Sequence, residues 1–193
     1  YWRNPEASKE CFDDEGFFCT GDAVLWIDEN DPHKGLKFDG RIAEDFKLAT
    51  GTFVSVGPLR ARIIAAGAPY TQDAVITGLN RNEMGALLFA TPAVRKLAPH
   101  LPADAPLKEV LESAAVQAHF QGVVNALAKQ ATGSANRVAR LHLMHEPPSI
   151  DKGEVTDKGS INQRAVLKHR DALVQAFHDD RLPFTLKPQQ EQA

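Results

Sequence analysis

Cysteine is scarce in this sequence: only Cys11 and Cys19 occur among its 193 residues. Two cysteines in a chain of this length do not form a disulfide framework, which excludes the class of small disulfide-rich secreted domains. We expect both to be reduced thiols in a cytoplasmic protein. Because no histidine stands near Cys19 in the sequence, we interpret it as a small, partly buried apolar residue and not as a nucleophile.

Long apolar runs and blocks of one charge are also absent. No stretch approaches the ~18 apolar residues of a membrane span, and the first residues lack the apolar segment of a signal peptide. The 22 basic and 25 acidic residues are mixed along the sequence and give a formal net charge of −3. No basic block suited to nucleic acid or an anionic membrane is present. We therefore expect neither nucleic acid nor a membrane as a partner.

The chain has no initiating methionine and opens at Tyr1 on a turn-like segment, Asn4-Pro5-Glu6. We expect it to be cut from a longer protein. Its first ~40 residues contain two apolar runs, at 23–27 and 36–39, joined by a polar loop, which predicts a β-hairpin. A segment of that size carries too little apolar surface for a core of its own. It should need a partner sheet outside this chain.

From Phe46 onward, predicted strands and helices alternate, which indicates an α/β or α+β domain over about residues 42–180. We place the domain boundary near residues 41–45, so that residues 1–41 form a β-rich unit and residues 42–193 a small second domain. The tail after about residue 183 is expected to be disordered. The predicted elements are a hairpin at 46–48 and 52–54, a helix from Pro58 to Gly67, strands at 72–77 and 85–90, one helical stripe at 107–127, a strand at 138–144 and a last helix after a capping box at 160–163.

Two charged residues at the ends of the first predicted hairpin are candidates for ligand binding. Asp22 follows a Thr20-Gly21 turn, and a carboxylate there can bind the two hydroxyls of a ribose. Arg41 can bind the same sugar or its phosphate. Either residue alone is typical of an ordinary turn or surface. Their placement at two strand ends of one hairpin can bring both to a single ligand.

A lysine on a later loop is a candidate for catalysis. Lys158 stands in Thr156-Asp157-Lys158-Gly159, just before a predicted helix. When a carboxylate attacks the α-phosphate of ATP, two negative groups meet, and an ammonium group on a loop can neutralise the charge that builds on the phosphate oxygens. Lys152, six residues earlier, is the competing candidate.

Two other patterns are set aside. His142 and His145, with Glu146, resemble a metal site, but residues three apart in a strand point to opposite faces of the sheet. We therefore expect no metal there. Residues 133–136 (Gly-Ser-Ala-Asn) lack the Gly-Lys-Ser/Thr ending of a phosphate-binding loop, and we interpret them as a simple connection.

Together these segments resemble a known superfamily. Residues 12–22 (Phe-Asp-Asp-Glu-Gly-Phe-Phe-Cys-Thr-Gly-Asp) and 38–41 (Phe-Asp-Gly-Arg) resemble the end of the large domain of adenylate-forming enzymes. These enzymes include acyl-CoA synthetases, adenylation domains of peptide synthetases and luciferases. The resemblance extends to about Asp179, and segments 40–62 and 156–170 are most similar to feruloyl-CoA synthases.

The resemblance implies an ATP-dependent acid–thiol ligase that forms an acyl-AMP and then a CoA thioester, with ATP, Mg²⁺ and coenzyme A as its substrates and an aromatic acid such as ferulate as the carboxylate. The chain would be the end of the large AMP-binding domain (residues 1–41) followed by the small C-terminal lid domain. Its main partner would be its own missing N-terminal large domain. We expect the isolated chain to be catalytically inactive.

The resemblance also implies roles for single residues. Asp22 matches the acid that binds the ribose hydroxyls, and Arg41 matches the arginine that binds ribose and phosphate. Lys158 matches the adenylation lysine of the lid. Gly51 and Thr52 end the loop at 49–52, which matches the loop that enters the thioester-forming site where the pantetheine arrives.

Two departures from the family pattern leave alternatives open. The usual hinge acid stands two residues after the arginine, where this sequence has Ala43, so either Glu44 or Asp45 takes the hinge role. The common pattern Gly-Lys-hydrophobic is replaced by residues 158–161 (Lys-Gly-Ser-Ile), which shifts the lysine by about two residues.

Two rival functions remain. An adenylation domain that loads a carrier protein is the nearest rival, and we expect free CoA instead because no carrier domain or attachment site follows Asp179. A stand-alone binding module without chemistry is the rival from another class, since a small α/β domain can host many functions.

Overall fold

The computed structural model describes residues 1–189, and the chain divides into two compact units, residues 1–43 and the residues from Glu44 onward. The expected division fell two residues earlier, after Arg41. That the first unit is the end of a larger domain stays a prediction.

The first unit is a two-stranded antiparallel hairpin preceded by a short helix. The helix was missed, although its sequence carries a start signal: the Asn4 side chain accepts a hydrogen bond from the Ala7 amide at 3.0 Å, and Pro5 occupies the first helical position. The hairpin is confirmed, with a bulge between Ala23 and Val24. The elements are α1 (Pro5–Glu10), β1 (Asp22–Trp26), a 3-10 turn (Pro32–Lys34) and β2 (Leu36–Arg41).

The second unit is built on a three-stranded mixed sheet. A short two-stranded hairpin precedes its first helix in the sequence. The hairpin is β3 (Phe46–Lys47) and β4 (Phe53–Val54), and the sheet is β5 (Thr71–Thr77), β6 (Met84–Ala90) and β7 (Val138–Leu143). The central strand β6 runs antiparallel to β5 and parallel to β7. The helices are α2 (Val56–Ala66), α3 (Leu107–Glu112), α4 (Ala114–Lys129), α5 (Gln163–His169) and α6 (Asp171–His178), and a 3-10 turn lies at Pro92–Leu97. A further 3-10 turn, Ile42–Glu44, crosses from the first unit into the second along the chain.

Helices cover both faces of this sheet. Side chains alternate along each strand, so Ala74 and Ile76 pack on the face covered by α2, α3 and α4, while Val75 packs on the opposite face with α5 and α6. Val166 and Phe177 are fully buried there. The result is a three-layer α/β unit, which confirms the expected fold class. No helix within residues 1–189 is long and apolar enough to cross a membrane.

Two predicted helices are broken in the structure. The stripe expected over 107–127 is interrupted at Ser113, whose extended backbone (φ −63°, ψ 144°) separates α3 from α4. The last helix likewise divides at Arg170 (φ −107°, ψ 27°) into α5 and α6. In both cases the apolar periodicity continues across the break, so periodicity alone predicts one helix.

The expected helix starts also shift. Helix α2 begins at Val56, two residues before Pro58. The capping box at 160–163 was wrong: helix α5 begins after Asn162, whose side chain accepts from the Ala165 amide at 3.2 Å. The Ser160 hydroxyl is engaged elsewhere, as described below.

The tail expected to be disordered after residue 183 is partly ordered. Leu186 exchanges two backbone hydrogen bonds of 2.8 Å with Leu141 of β7. The Lys187 carbonyl accepts from Gln121 at 2.8 Å, and the Gln189 amide donates to Asn125 at 2.9 Å. The rest of that prediction, residues 190–193, lies outside the described residues.

Candidate functional site

In the first unit, Asp22 and Arg41 lie directly opposite each other in the register of β1 and β2. Directly opposed residues of an antiparallel pair carry their side chains on the same face, with Cβ atoms roughly 4.5–5.5 Å apart. Both residues are exposed. A carboxylate and a guanidinium are thus placed side by side on one exposed face of the hairpin, and their binding of one ligand stays a prediction.

Two glycines make this end of the hairpin possible. Gly21, before Asp22, has φ +74°, and Gly40, before Arg41, has φ +120°. Side chains are strained at such positive φ values, so glycine is favoured at both positions. The Gly21 carbonyl accepts from the Ile42 amide at 3.0 Å, which closes the strand end just beyond the two charged residues.

The two hinge candidates differ in their bonding. Glu44 ends the 3-10 turn Ile42–Glu44 and is the first residue of the second unit. Asp45 accepts a hydrogen bond from the Val56 amide at 2.8 Å through its Oδ1 atom. Val56 is the first residue of α2, so the Asp45 carboxylate satisfies one of the free amides at a helix N-terminus. Asp45 therefore caps a helix, whereas Glu44 is the first residue of the second unit, and which of the two takes the hinge role stays a prediction.

The loop that ends in Gly51 and Thr52 is a tight turn between β3 and β4. The Gly51 amide donates to the Leu48 carbonyl at 2.9 Å, and Gly51 has φ +83°. Thr52 Oγ1 lies 3.2 Å from Ser134 Oγ and so joins this turn to the loop at 132–136. Sequence patterns could not connect these two loops, because 82 residues separate the hydroxyls.

Lys158 lies at the exposed tip of a small hairpin. The base of the hairpin is a β-bridge between Val155 and Ile161. The Thr156 amide donates to the Ser160 carbonyl at 2.8 Å, and the hydroxyls of the same two residues lie 2.8 Å apart. The Ser160 side chain therefore closes this hairpin, which explains why the predicted capping box does not form.

A buried ion pair stands beside the base of that hairpin. The Glu154 side chain is 1% exposed and the Arg170 side chain 12% exposed, and two hydrogen bonds of 2.7 and 2.9 Å join them. Hydrogen bonding from Arg170 lowers the pKa of Glu154 below its ordinary value. Sequence reasoning did not single out either residue.

A cavity of about 470 Å³ lies where β7 ends, and Lys152 lines it together with His142 and His145. The expectation that the two histidines point to opposite faces was wrong, because β7 ends at Leu143 and strand alternation does not reach His145. Their ring centroids are 5.4 Å apart. Burial, followed by the neighbouring His145, lowers the pKa of His142 to about 4. Within residues 1–189, no group of three or more His, Cys, Asp or Glu side chains is arranged to hold a metal ion.

Residues 45–181 match the family model of the AMP-binding enzyme C-terminal domain. The match covers well over half of the chain, and the chain belongs to this family.

Comparison with curated proteins and solved structures gives distant relatives. The chain is 25% identical over 188 residues to the probable acyl-activating enzyme 16, chloroplastic, of Arabidopsis thaliana, a match over 86% of this chain and 24% of that protein. The chain thus spans about a quarter of the length of this relative.

The solved structures that share the fold include two reductase domains. One is the A domain of a carboxylic acid reductase from Segniliparus rugosus in complex with AMP and a carboxylic acid, at a TM-score of 0.66 and 21% identity over 94% of this chain and 26% of that one. The other is the adenylation domain of a carboxylate reductase from Mycobacterium chelonae, at a TM-score of 0.65 and 24% identity. That match covers 93% of this chain and 26% of the other.

Proposed function

We propose that this chain is the C-terminal part of an ATP-dependent acyl-CoA synthetase, an acid–thiol ligase that forms an acyl-AMP and then a CoA thioester. The observation that carries the proposal is the match of residues 45–181 to the C-terminal domain of AMP-binding enzymes. Residues 1–41 are then the end of the large AMP-binding domain, and the rest of that domain is the chain's main partner.

In this proposal, Asp22 and Arg41 hold the adenosine part of ATP. The Asp22 carboxylate accepts hydrogen bonds from the two ribose hydroxyls, and Arg41 donates to the ribose and the α-phosphate. Their opposed register lets one hairpin end orient both the sugar and the phosphate. Such orientation converts binding energy into a well-aligned attack on the α-phosphate.

Lys158 acts in the first half-reaction. The substrate carboxylate attacks the α-phosphorus, the acyl–phosphate bond forms, and pyrophosphate leaves with the electron pair of the broken bond. Negative charge builds on the phosphate oxygens as this happens, and the Lys158 ammonium neutralises it. Its exposed place at a hairpin tip suits a group that must reach a substrate held elsewhere.

The second half-reaction needs the turn that ends in Gly51 and Thr52. In this proposal the turn borders the path by which the pantetheine thiol reaches the acyl-AMP. A rotation at Glu44 exchanges the lysine hairpin for this turn, since rotation between two packed bodies concentrates in a few boundary residues. Mg²⁺ would accompany ATP in this reaction, and residues 1–189 contain no group of three or more His, Cys, Asp or Glu side chains arranged to hold it.

Feruloyl-CoA synthase is the specific enzyme we propose, with a hydroxycinnamate as the carboxylate and the cytoplasm as its location. The basis is the similarity of segments 40–62 and 156–170 to that family. A second candidate is an adenylation domain that passes the acyl group to a carrier protein. It is kept because an adenylation and carrier-protein didomain of a carboxylic acid reductase shares the fold, at a TM-score of 0.65.

The test uses the longer enzyme that contains this chain. ATP–pyrophosphate exchange is measured with ferulate, with benzoate and with a fatty acid, and thioester formation is then measured with CoA and with a phosphopantetheinylated carrier protein. We expect exchange that depends on ferulate and thioester only with CoA. Thioester formation on the carrier alone would select the second candidate, and no exchange with any carboxylate would contradict the proposed class.

A further inference from the structure

The loop between β7 and α5, residues 144–162, carries Lys158 and has little regular structure of its own. We call it the lysine loop. One side chain outside the loop, that of Arg170 between α5 and α6, bonds to it at three places. These bonds connect the lysine loop to the junction of α5 and α6.

All three nitrogens of the Arg170 guanidinium are used. Nε donates to Glu154 Oε1 at 2.9 Å, and Nη2 donates to Glu154 Oε2 at 2.7 Å. Nη1 donates to the Glu146 carbonyl at 3.1 Å, and Nη2 also donates to the Pro147 carbonyl at 2.8 Å. The guanidinium carbon lies 5.5 Å from the centroid of the Phe89 ring, so Arg170 is itself fixed to strand β6. The first part of the lysine loop is thereby tied to the sheet.

Glu154 transmits this fixation towards the hairpin. Its Oε2 atom also accepts from the Ser149 amide at 2.7 Å, which closes the turn at 149–154. Its backbone carbonyl accepts from the Asn162 amide at 2.8 Å, which fixes the start of α5. Glu154 directly precedes Val155, whose bridge to Ile161 forms the hairpin base. Both ends of the segment that presents the lysine are therefore held by one residue.

We propose that Arg170, acting through Glu154, is a positioning residue that sets the Lys158 ammonium for acyl-adenylate formation. The inference rests on the proposed function of Lys158. Charge stabilisation depends on a preorganised cation, and a displacement of about 1 Å by a distant substitution can cost on the order of 10²-fold in rate. Thioester formation does not use Lys158, so it does not depend on this positioning.

A purely structural role is the alternative, and Arg140 provides the matched control. Its side chain is 9% exposed, comparable to that of Arg170, and it donates to the Phe177 carbonyl at 2.7 Å, the His178 carbonyl at 3.1 Å and Asp180 at 2.9 Å. Those acceptors lie at the end of α6 and just after it, outside the lysine loop. Arg140→Gln thus removes a buried arginine with several hydrogen bonds from the same unit without touching the loop.

The experiment compares Arg170→Gln with Arg140→Gln in the longer enzyme. The two readouts are kcat for ATP–pyrophosphate exchange and kcat for thioester formation from supplied acyl-AMP. We expect Arg170→Gln to lower the first by about 10²-fold and to leave the second near its wild-type value. Arg170→Lys, which keeps the charge, should restore part of the loss. Arg140→Gln should change the two rates in the same proportion.

The outcomes separate the inference from the proposed function. If Lys158→Ala leaves pyrophosphate exchange intact, the role of Lys158 is wrong. If Lys158→Ala abolishes exchange while Arg170→Gln slows both half-reactions equally, or neither, the positioning role is overturned. Should Arg170→Gln fail to fold, Glu154→Gln decides, because it keeps the size of the side chain and removes the charge that holds Arg170. A selective loss of exchange supports the inference, and equal losses overturn it.

Discussion

Replacing Asp45 by alanine should destabilise the second unit by about 1–2 kcal/mol. The Asp45 carboxylate accepts a hydrogen bond of 2.8 Å from the Val56 amide at the start of α2. Ser55, the residue at the N-cap position, makes no capping hydrogen bond with its side chain, so Asp45 takes its place. Loss of a helix cap costs about 1 kcal/mol. Loss of a negative charge at a helix N-terminus costs a further 0.3–1 kcal/mol, roughly.

Asparagine separates these two contributions. Asp45→Asn keeps an acceptor oxygen and removes the charge, so it should cost only the charge part, about 0.3–1 kcal/mol. Glu44→Ala is the matched control, because it removes the neighbouring acid, for which we expect a change within about 0.5 kcal/mol. For a unit of this size, each kcal/mol lowers the melting temperature by about 2–4 °C.

The assay is thermal and urea unfolding of the chain followed by far-UV circular dichroism. Five of the six helices described in residues 1–189 belong to the second unit, so this signal reports mainly on it. Both tryptophans, Trp2 and Trp26, lie in the first unit, and their fluorescence serves as the internal control. Equal stabilities of Asp45→Ala and Glu44→Ala would refute the capping role and would return Asp45 to the hinge candidates.

Burial first, and the neighbouring His145 second, lower the pKa of His142 from 6.5 to about 4. Between these two pH values the unfolded chain therefore binds more protons than the folded one. The free energy of unfolding should fall as the pH is lowered through this window, by on the order of 3 kcal/mol for this residue. His142→Gln should flatten that part of the stability–pH curve, and an unchanged slope would count against the buried neutral histidine. Gly85→Ala should lower the free energy of unfolding by about 1–3 kcal/mol, because a methyl group there would lie 2.8 Å from Cζ of the Phe177 ring. Gly122→Ala is the control: Gly122 lies on a helix, and a methyl group there would have no other atom within 4 Å, so the change should be neutral or stabilising in the same unfolding assay. Glu44→Pro in the longer enzyme should block one half-reaction and spare the other, because proline fixes φ and removes a donor at the proposed hinge; both rates at wild-type level would place the hinge elsewhere.

Local patterns in the sequence were sufficient for most strands. The alternation and turn residues of 71–90 predicted β5 and β6 to within one residue. The first hairpin was also predicted, and with it the placement of Asp22 and Arg41 at the two strand ends that meet at its open end. Their ligand roles stay predictions. These elements were accessible because their pairing partners are near in sequence and the turn chemistry between them is explicit.

Contacts between residues far apart in the sequence, both those that hold the lysine loop and the one that joins the loops at 49–52 and 132–136, were not accessible in this way. Glu154 and Arg170 are 16 residues apart, and Thr52 and Ser134 are 82 apart. A charged or hydroxyl side chain carries no periodic signal for a distant partner, so local patterns predict each of these four side chains to be an ordinary surface residue. The helix breaks at Ser113 and Arg170 were missed for a related reason, since apolar spacing records which face is buried and not whether the backbone is continuous.

The most direct test of the proposed function compares Lys158→Ala with Lys152→Ala in the longer enzyme, with pyrophosphate exchange and thioester formation from supplied acyl-AMP measured separately. Our account predicts that Lys158→Ala lowers exchange by about 10²–10³-fold and leaves thioester formation near its wild-type rate, while Lys152→Ala affects neither strongly. Equal losses in both half-reactions for Lys158→Ala, or a larger loss of exchange for Lys152→Ala, would contradict it.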